Sequence, residues 1–171
     1  MEVRSFSSLL EDHYLESDFA EGPIEIPTVI PERTFLEKLF LLHEEFHRPK
    51  DRIRVKRLSR HLYDVFQILK SEHGLNAIAH KDLYQTIVKH RQAFNHVGGI
   101  DYNLHQPQTL NPLPIPDIIN AWEADYRTMQ EEMIYGDSPD FQKLIDTIKD
   151  FTVTVLNQLD WKMDIDFPKP K

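Results

Sequence analysis

Pro31-Glu32-Arg33-Thr34-Phe35-Leu36-Glu37-Lys38, followed twenty residues after Lys38 by Leu58-Ser59-Arg60-His61-Leu62-Tyr63-Asp64, is the stretch on which the reading of this chain turns. Proline suits the first turn of a helix, where its missing N–H is no loss. Thr34 and Glu37 have capping-box spacing. Phe35, Leu39, Leu42 and Phe46 recur at helical intervals, with Phe40 and Leu41 widening the apolar stripe, until Arg48-Pro49 stops the pattern. A helix is expected over about 31–47. Leu58, Leu62, Val65, Phe66 and Leu69 give the apolar face of a second over about 55–71, with Gly74 as its stop.

Outward from these two, helices dominate. A third is expected over about 81–95, with Leu83, Tyr84, Ile87, Val88 and Phe94 as its apolar residues. Gly98-Gly99 and Pro107, Pro112, Pro114 and Pro116 make 96–115 a long irregular connection, a kind of segment that is often functional. A fourth helix follows over about 116–135, and a fifth, opened by Ser138-Pro139, over about 138–159. Val3, Phe6 and the Ile24-Glu25-Ile26 alternation mark short strands before residue 30. The expectation is a mainly α domain of about five helices over 31–160. An extended segment (1–30) precedes it and a flexible tail (161–171) with two prolines follows. A strand or two cannot bury both faces alone, and nothing else in the sequence looks like their sheet, so that sheet is expected elsewhere.

The chain has 171 residues, 40% hydrophobic and 28% charged, an ordinary balance for a globular domain. No apolar run is long enough to span a bilayer and no signal-peptide pattern opens the chain, so a cytoplasmic protein without membrane partners is expected. Cysteine is absent, which removes disulfides, thiolate ligands and a cysteine nucleophile. The formal net charge of -8 argues against bulk binding to polyanions. The charge is uneven, however: Arg48, Lys50, Arg52, Arg54, Lys56, Arg57 and Arg60 crowd into residues 48–60 with only Asp51 among them. Such a run reads either as a solvated loop and helix start or as a local phosphate-binding surface.

Two constellations carry chemistry. His43-Glu44-Glu45-Phe46-His47 matches H-E-x-x-H, in which histidines at i and i+4 bind zinc and the glutamate activates the bound water. Against a zinc metalloprotease stand the helix end at Arg48-Pro49 and the lack of a supporting motif around a third ligand such as Glu72. The rival reading is an amphipathic helix whose polar edge carries two histidines. For the other histidines (13, 73, 80, 90, 96 and 105) surface or capping roles are expected. The second constellation is Lys38 with Arg60 and Asp64. Arg60 and Asp64 are one turn apart, His61 and Asp64 three residues apart, and antiparallel packing of the first two helices brings Lys38 to them. Lysine as a point charge, arginine as a bidentate fork and a carboxylate orienting the arginine form a triphosphate clamp. An ordinary surface ion pair is the alternative.

P-E-R-T-F-L-E-K followed by S-R-H-L-Y-D-V resembles the AbiEii/AbiGii family of nucleotidyltransferase-like toxins of type IV toxin–antitoxin and abortive-infection systems. The similarity continues through Ala124-Asp125-Tyr126-Arg127-Thr128-Met129 and Met133-Ile134-Tyr135-Gly136, covering about Ile30 to Phe151. The resemblance implies a two-part enzyme. One part is a nucleotidyltransferase sheet in which a Gly-Ser turn and a D-x-D pair hold Mg²⁺ and a nucleoside triphosphate (NTP); the other is a helical part that closes over the nucleotide. It implies that Lys38 contacts the triphosphate with Arg60 and Asp64 completing the pocket, that Arg57, Asp125 and Tyr126 belong to the nucleotide-binding surface, and that Glu2, on a strand like the last of the sheet, is a metal ligand. It also implies tRNA as acceptor and an antitoxin protein as partner.

No Gly-Ser followed by D-x-D precedes Lys38, and Asp164-Ile165-Asp166 lacks the glycine turn. The chain is therefore expected to be the C-terminal part of a longer enzyme whose missing half is a partner, with residues 1–30 left from its sheet. Alone it is expected to be inactive and to hold no cofactor tightly. A non-catalytic helical interaction module is the alternative.

Overall fold

The computed structural model describes residues 2–6 and 23–170; the stretch 7–22, with His13, lies outside the described residues. The chain divides into two units, residues 1–31 and 32–171.

In the first unit, β1 (Glu2–Phe6) and β2 (Ile24–Thr28) form an antiparallel pair with Glu2 opposite Thr28 and Phe6 opposite Ile24. Pro27 has no N–H for the ladder, and the Thr28 hydroxyl donates to the Glu2 carbonyl (3.1 Å) at that end. The two short strands expected before residue 30 are present and pair with each other, and among the described residues no further strand joins them. Both strands are exposed along almost their whole length.

The second unit is helical. Among the described residues the helices are α1 (Pro31–Phe46), α2 (Ser59–Leu69), α3 (His73–Ala79), α4 (Lys81–Phe94), α5 (Ile119–Met133) and α6 (Phe141–Thr154). Helix α1 is the hub. Its Phe35 meets Phe151 of α6, its Phe40 meets Tyr84 of α4, and its Phe46 meets Trp122 of α5, each pair at 4.6–5.7 Å between ring centroids. Rings at this spacing in edge-on or tilted geometry add to the area they remove from water. Phe35, Leu36, Leu39, Phe40 and Leu42 are fully buried, with Leu62, Val65, Ile87, Val88, Leu144 and Ile148 around them.

Four differences from the sequence reading have physical causes. Helix α3 is additional, and Gly74 lies inside it rather than ending α2. A Cβ at Gly74 would stand 3.1 Å from Leu69 Cδ2 and 3.6 Å from the Phe35 ring, so the glycine serves close packing of α3 on α2 and α1. Helix α2 begins at Ser59, later than expected, because Arg57 takes a left-handed conformation (φ 63°) that helix cannot continue through. Phe94 is 77% exposed and no part of the core.

The connection between α4 and α5 and the segment after residue 160 are packed rather than loose. Ile100, Tyr102, His105, Leu110 and Met163 are buried. The Tyr84 hydroxyl donates to the His105 carbonyl (2.7 Å), and Asn157 donates to the carbonyls of Pro107 and Leu110. Gln106 accepts from the Met163 amide (2.7 Å), while Asn103 accepts from the Phe167 amide and donates to its carbonyl. Amide side chains of the connection therefore satisfy the backbone of the C-terminal segment, where a flexible tail was expected. No helix of the described residues is long and apolar enough to cross a membrane.

Candidate functional site

Lys38 lies on the flank of α1, three residues after Phe35, and His61 and Asp64 lie three residues apart on one face of α2. Packing the two helices brings these side chains together. Lys38 Nζ is 3.1 Å from Asp64 Oδ2 and 3.1 Å from His61 Nδ1, and His61 Nδ1 is 3.8 Å from Asp64 Oδ2. His61 is buried, whereas the Lys38 and Asp64 side chains keep 26% and 39% of their exposure. Burial alone would push the Asp64 carboxyl up; the Lys38 ammonium at 3.1 Å outweighs that, and the group is held below the usual carboxylate range. The group is a fixed cation open to solvent on one side.

Arg60 is one turn before Asp64, yet Asp64 is held by Lys38 and His61, not by Arg60. Arg60 instead lines a small hollow with Arg57, Asp125, Thr128, Met129, Glu132 and Met133, between the start of α2 and the side of α5. Asp125 shapes this hollow. Its carboxylate accepts from the Arg57 amide (2.6 Å), the Ser59 amide (3.0 Å) and the Ser59 hydroxyl (2.6 Å). A carboxylate from another helix thereby satisfies orphan amides at the N-terminus of α2. It also holds the left-handed turn that presents Arg57. Tyr126, the next residue, is buried and donates its hydroxyl to the Pro139 carbonyl (2.9 Å); burial, with Tyr63 nearby, pushes its hydroxyl up to about 12. Of the residues expected at the nucleotide, Lys38 and Asp64 come together directly, Arg57, Arg60 and Asp125 share a separate hollow that neither of these lines, and Tyr126 ties α5 to the segment before α6.

The basic run is less free than its sequence suggests. Glu45, fully buried on α1, accepts from the Arg54 amide and guanidinium (2.6–3.0 Å) and from Arg48 (3.1 Å). Lys50 pairs with Asp117. Asp51 is thus not the only carboxylate set against the run. Among the described residues, Arg52, Lys56, Arg57 and Arg60 form no ion pair, though Asp125 and Glu132 line the hollow shared with the last two.

The H-E-x-x-H segment has a different part. His43, Glu44 and Glu45 are buried, which corrects the expectation of a polar helix edge. Arg91 of α4 grips Glu44 with two hydrogen bonds (2.8 and 2.6 Å), and His105 Nε2 lies 3.1 Å from the same carboxylate. Burial raises the Glu44 carboxyl, but the bonds from Arg91 and His105 outweigh it and hold the group lowered. His43 Nδ1 accepts from the Asn111 amide (3.0 Å), and His47 Nδ1 lies 2.7 Å from the His43 carbonyl. Burial, with His105 and His47 nearby, keeps the His43 imidazole neutral, its pKa well below the usual range. The glutamate that zinc hydrolysis needs is engaged by an arginine. His105, expected at the surface, is the third member of this core network.

No group of three His, Asp or Glu side chains among the described residues could hold a metal ion. The Glu2 carboxylate pairs with Arg4 on its own strand (3.1 Å). The described residues do not fit a metal site. The signal for His61 was present in the sequence as its i,i+3 spacing to Asp64; nothing local announced Arg91 or Ser59, whose partners lie 47 and 66 residues away.

No curated protein and no solved structure matches this chain. Residues 1–148, however, match the family described as nucleotidyl transferase AbiEii toxin, Type IV TA system. That match spans both halves of the opening signature and the Asp125–Tyr126 helix, and the chain belongs to the AbiEii nucleotidyl transferase toxin family of type IV toxin–antitoxin systems.

Proposed function

We propose that the helical unit grips the triphosphate of an NTP during Mg²⁺-dependent nucleotide transfer, with Lys38 as the phosphate contact, Arg57 and Arg60 as auxiliary cations, and tRNA as acceptor. The observation that carries this reading is the Lys38 ammonium, fixed at 3.1 Å from both Asp64 and His61 and still partly open to solvent. An ammonium has three donors, so two such contacts leave one N–H for a phosphate oxygen. Asp64 pairs with the ammonium and aims it. Asp125 sets the turn that carries Arg57, and Lys56, Arg57 and Arg60, which form no ion pair, extend the positive surface toward an RNA backbone. Family membership implies an antitoxin partner.

Metal neutralises triphosphate charge in phosphoryl-transfer chemistry, and the sequence has no Gly-Ser followed by D-x-D ahead of Lys38. This polypeptide by itself is therefore proposed to bind nucleotide without transferring it. Isothermal titration with each of the four NTPs and Mg²⁺ tests the first half. Binding that Lys38→Met weakens at least about tenfold, the loss of one charge-assisted hydrogen bond, supports it. Labelled NTP, Mg²⁺ and total tRNA test the second half, and label transfer by the purified chain would overturn it. Binding of tRNA that weakens with salt and with Lys56→Ala/Arg57→Ala supports the acceptor surface. A folded chain that binds none of these leaves the helical interaction module as the better reading.

A further inference from the structure

We infer that His61 is a positioning residue, which accepts a hydrogen bond from Lys38 through Nδ1 and so holds the ammonium in its phosphate-facing orientation. The inference rests on the proposed role of Lys38 and adds to it a buried side chain, His61, to which the resemblance gave no role.

The geometry separates two roles for the imidazole. Its Nδ1 is 3.8 Å from Asp64 Oδ2, beyond hydrogen-bond reach, and 3.1 Å from Lys38 Nζ, within it. An ammonium has no acceptor, so Nδ1 is the acceptor and the ring is the neutral tautomer with its proton on Nε2. His61 is 5% exposed on the packed face of α2, so the ring cannot swing away as a surface side chain would. Lys38 is therefore clamped from two directions, by a buried neutral nitrogen and by a half-exposed carboxylate.

Lysine has a long flexible stem, and ordering it on binding costs free energy. A second fixed acceptor lowers that cost before the ligand arrives. It also keeps Lys38 from collapsing onto Asp64 alone, a contact that would turn the free N–H away from a phosphate.

Tripolyphosphate is a suitable probe, because it offers the phosphate chemistry without a base or sugar. In wild-type chain, His61→Leu keeps the bulk and removes the acceptor, whereas His61→Asn keeps an acceptor oxygen close to the Nδ1 position. The expected result is a Kd raised about tenfold in His61→Leu and restored to within about threefold in His61→Asn, a hydrogen bond's worth of affinity. In a Lys38→Met background His61→Leu should add nothing, which distinguishes positioning of Lys38 from general damage to the fold. Imidazole ¹⁵N spectra should show Nδ1 unprotonated and sensitive to Lys38→Met. Unchanged affinity in His61→Leu, equal loss in His61→Asn, or a proton on Nδ1 would overturn the inference. Wild-type chain that binds no tripolyphosphate would instead sink the phosphate-gripping reading, while the ¹⁵N spectra still decide whether His61 holds Lys38.

Discussion

Helix α1 carries two groups built from the same three kinds of side chain, a cation, a carboxylate and an imidazole, one on either side of Phe40. Before it, Lys38 meets His61 and Asp64; after it, Glu44 meets Arg91 and His105. In the second group the cation and carboxylate side chains are 9% and 2% exposed, and in the first 26% and 39%. The buried group satisfies the Glu44 carboxylate from within the chain, while His43 Nε2 and His105 Nδ1 stay buried without a partner. The half-open group leaves a donor that faces solvent. Composition does not separate a structural ion pair from a candidate site here; solvent access does.

The sharpest way to break this contrast is Arg91→Leu. It leaves Glu44 buried without its cation, and breaking such a pair costs about 3–5 kcal/mol. For a chain of this size that lowers Tm by on the order of 10 °C in a calorimetric scan. A loss no larger than that of a surface pair would mean that the second group is open after all.

Acid should act on the buried group next. Burial keeps His43 and His105 neutral in the folded chain, with pKa values lowered, so the unfolded chain takes up protons that the folded one does not. Stability is then full above the ordinary histidine range and falls as pH drops below about 6.5. Glu44, lowered by Arg91 and His105, contributes stability that is present above the ordinary carboxylate range and lost as pH falls through its folded value. Urea midpoints measured from about pH 7.5 down to about 2.5 should show both phases, and His43→Asn should flatten the first. A midpoint constant across the histidine range would remove the neutral-imidazole account.

Asp125→Ala tests the hollow at the start of α2. Loss of a helix cap costs about 1 kcal/mol, and release of the Arg57 turn should weaken NTP binding as well. Thermal melts and titration calorimetry read the two effects separately. The smallest stability effect belongs to Lys38→Met, within about 1 kcal/mol, because half-exposed pairs contribute little. That variant should lose ligand affinity while melting almost like wild type. A large drop in Tm would place Lys38 with the structural group.

Much of the fold was legible because it depends on near neighbours in the chain. The 3.6-residue spacing of Phe35, Leu39, Leu42 and Phe46 reports one helix face, and Leu62, Val65 and Phe66 another. Gly74 misled because a glycine reads alike whether it ends a helix or lets one pack closely. The proline-rich connection misled because amide side chains at Asn103, Gln106 and Gln108 satisfy a distant segment, which no local pattern announces.

The sequence by itself determined which residues could form helices, and the family, since helical periodicity and short motifs are local. Tertiary structure alone decided which cation meets which carboxylate. It joined Glu44 to Arg91, gave Asp125 to the start of α2, and set His61 rather than Arg60 beside Lys38 and Asp64. Each of these contacts depends on two helices meeting at one depth below the surface, and that depth, through desolvation, determines whether a charge is locked into the fold or left to receive a ligand.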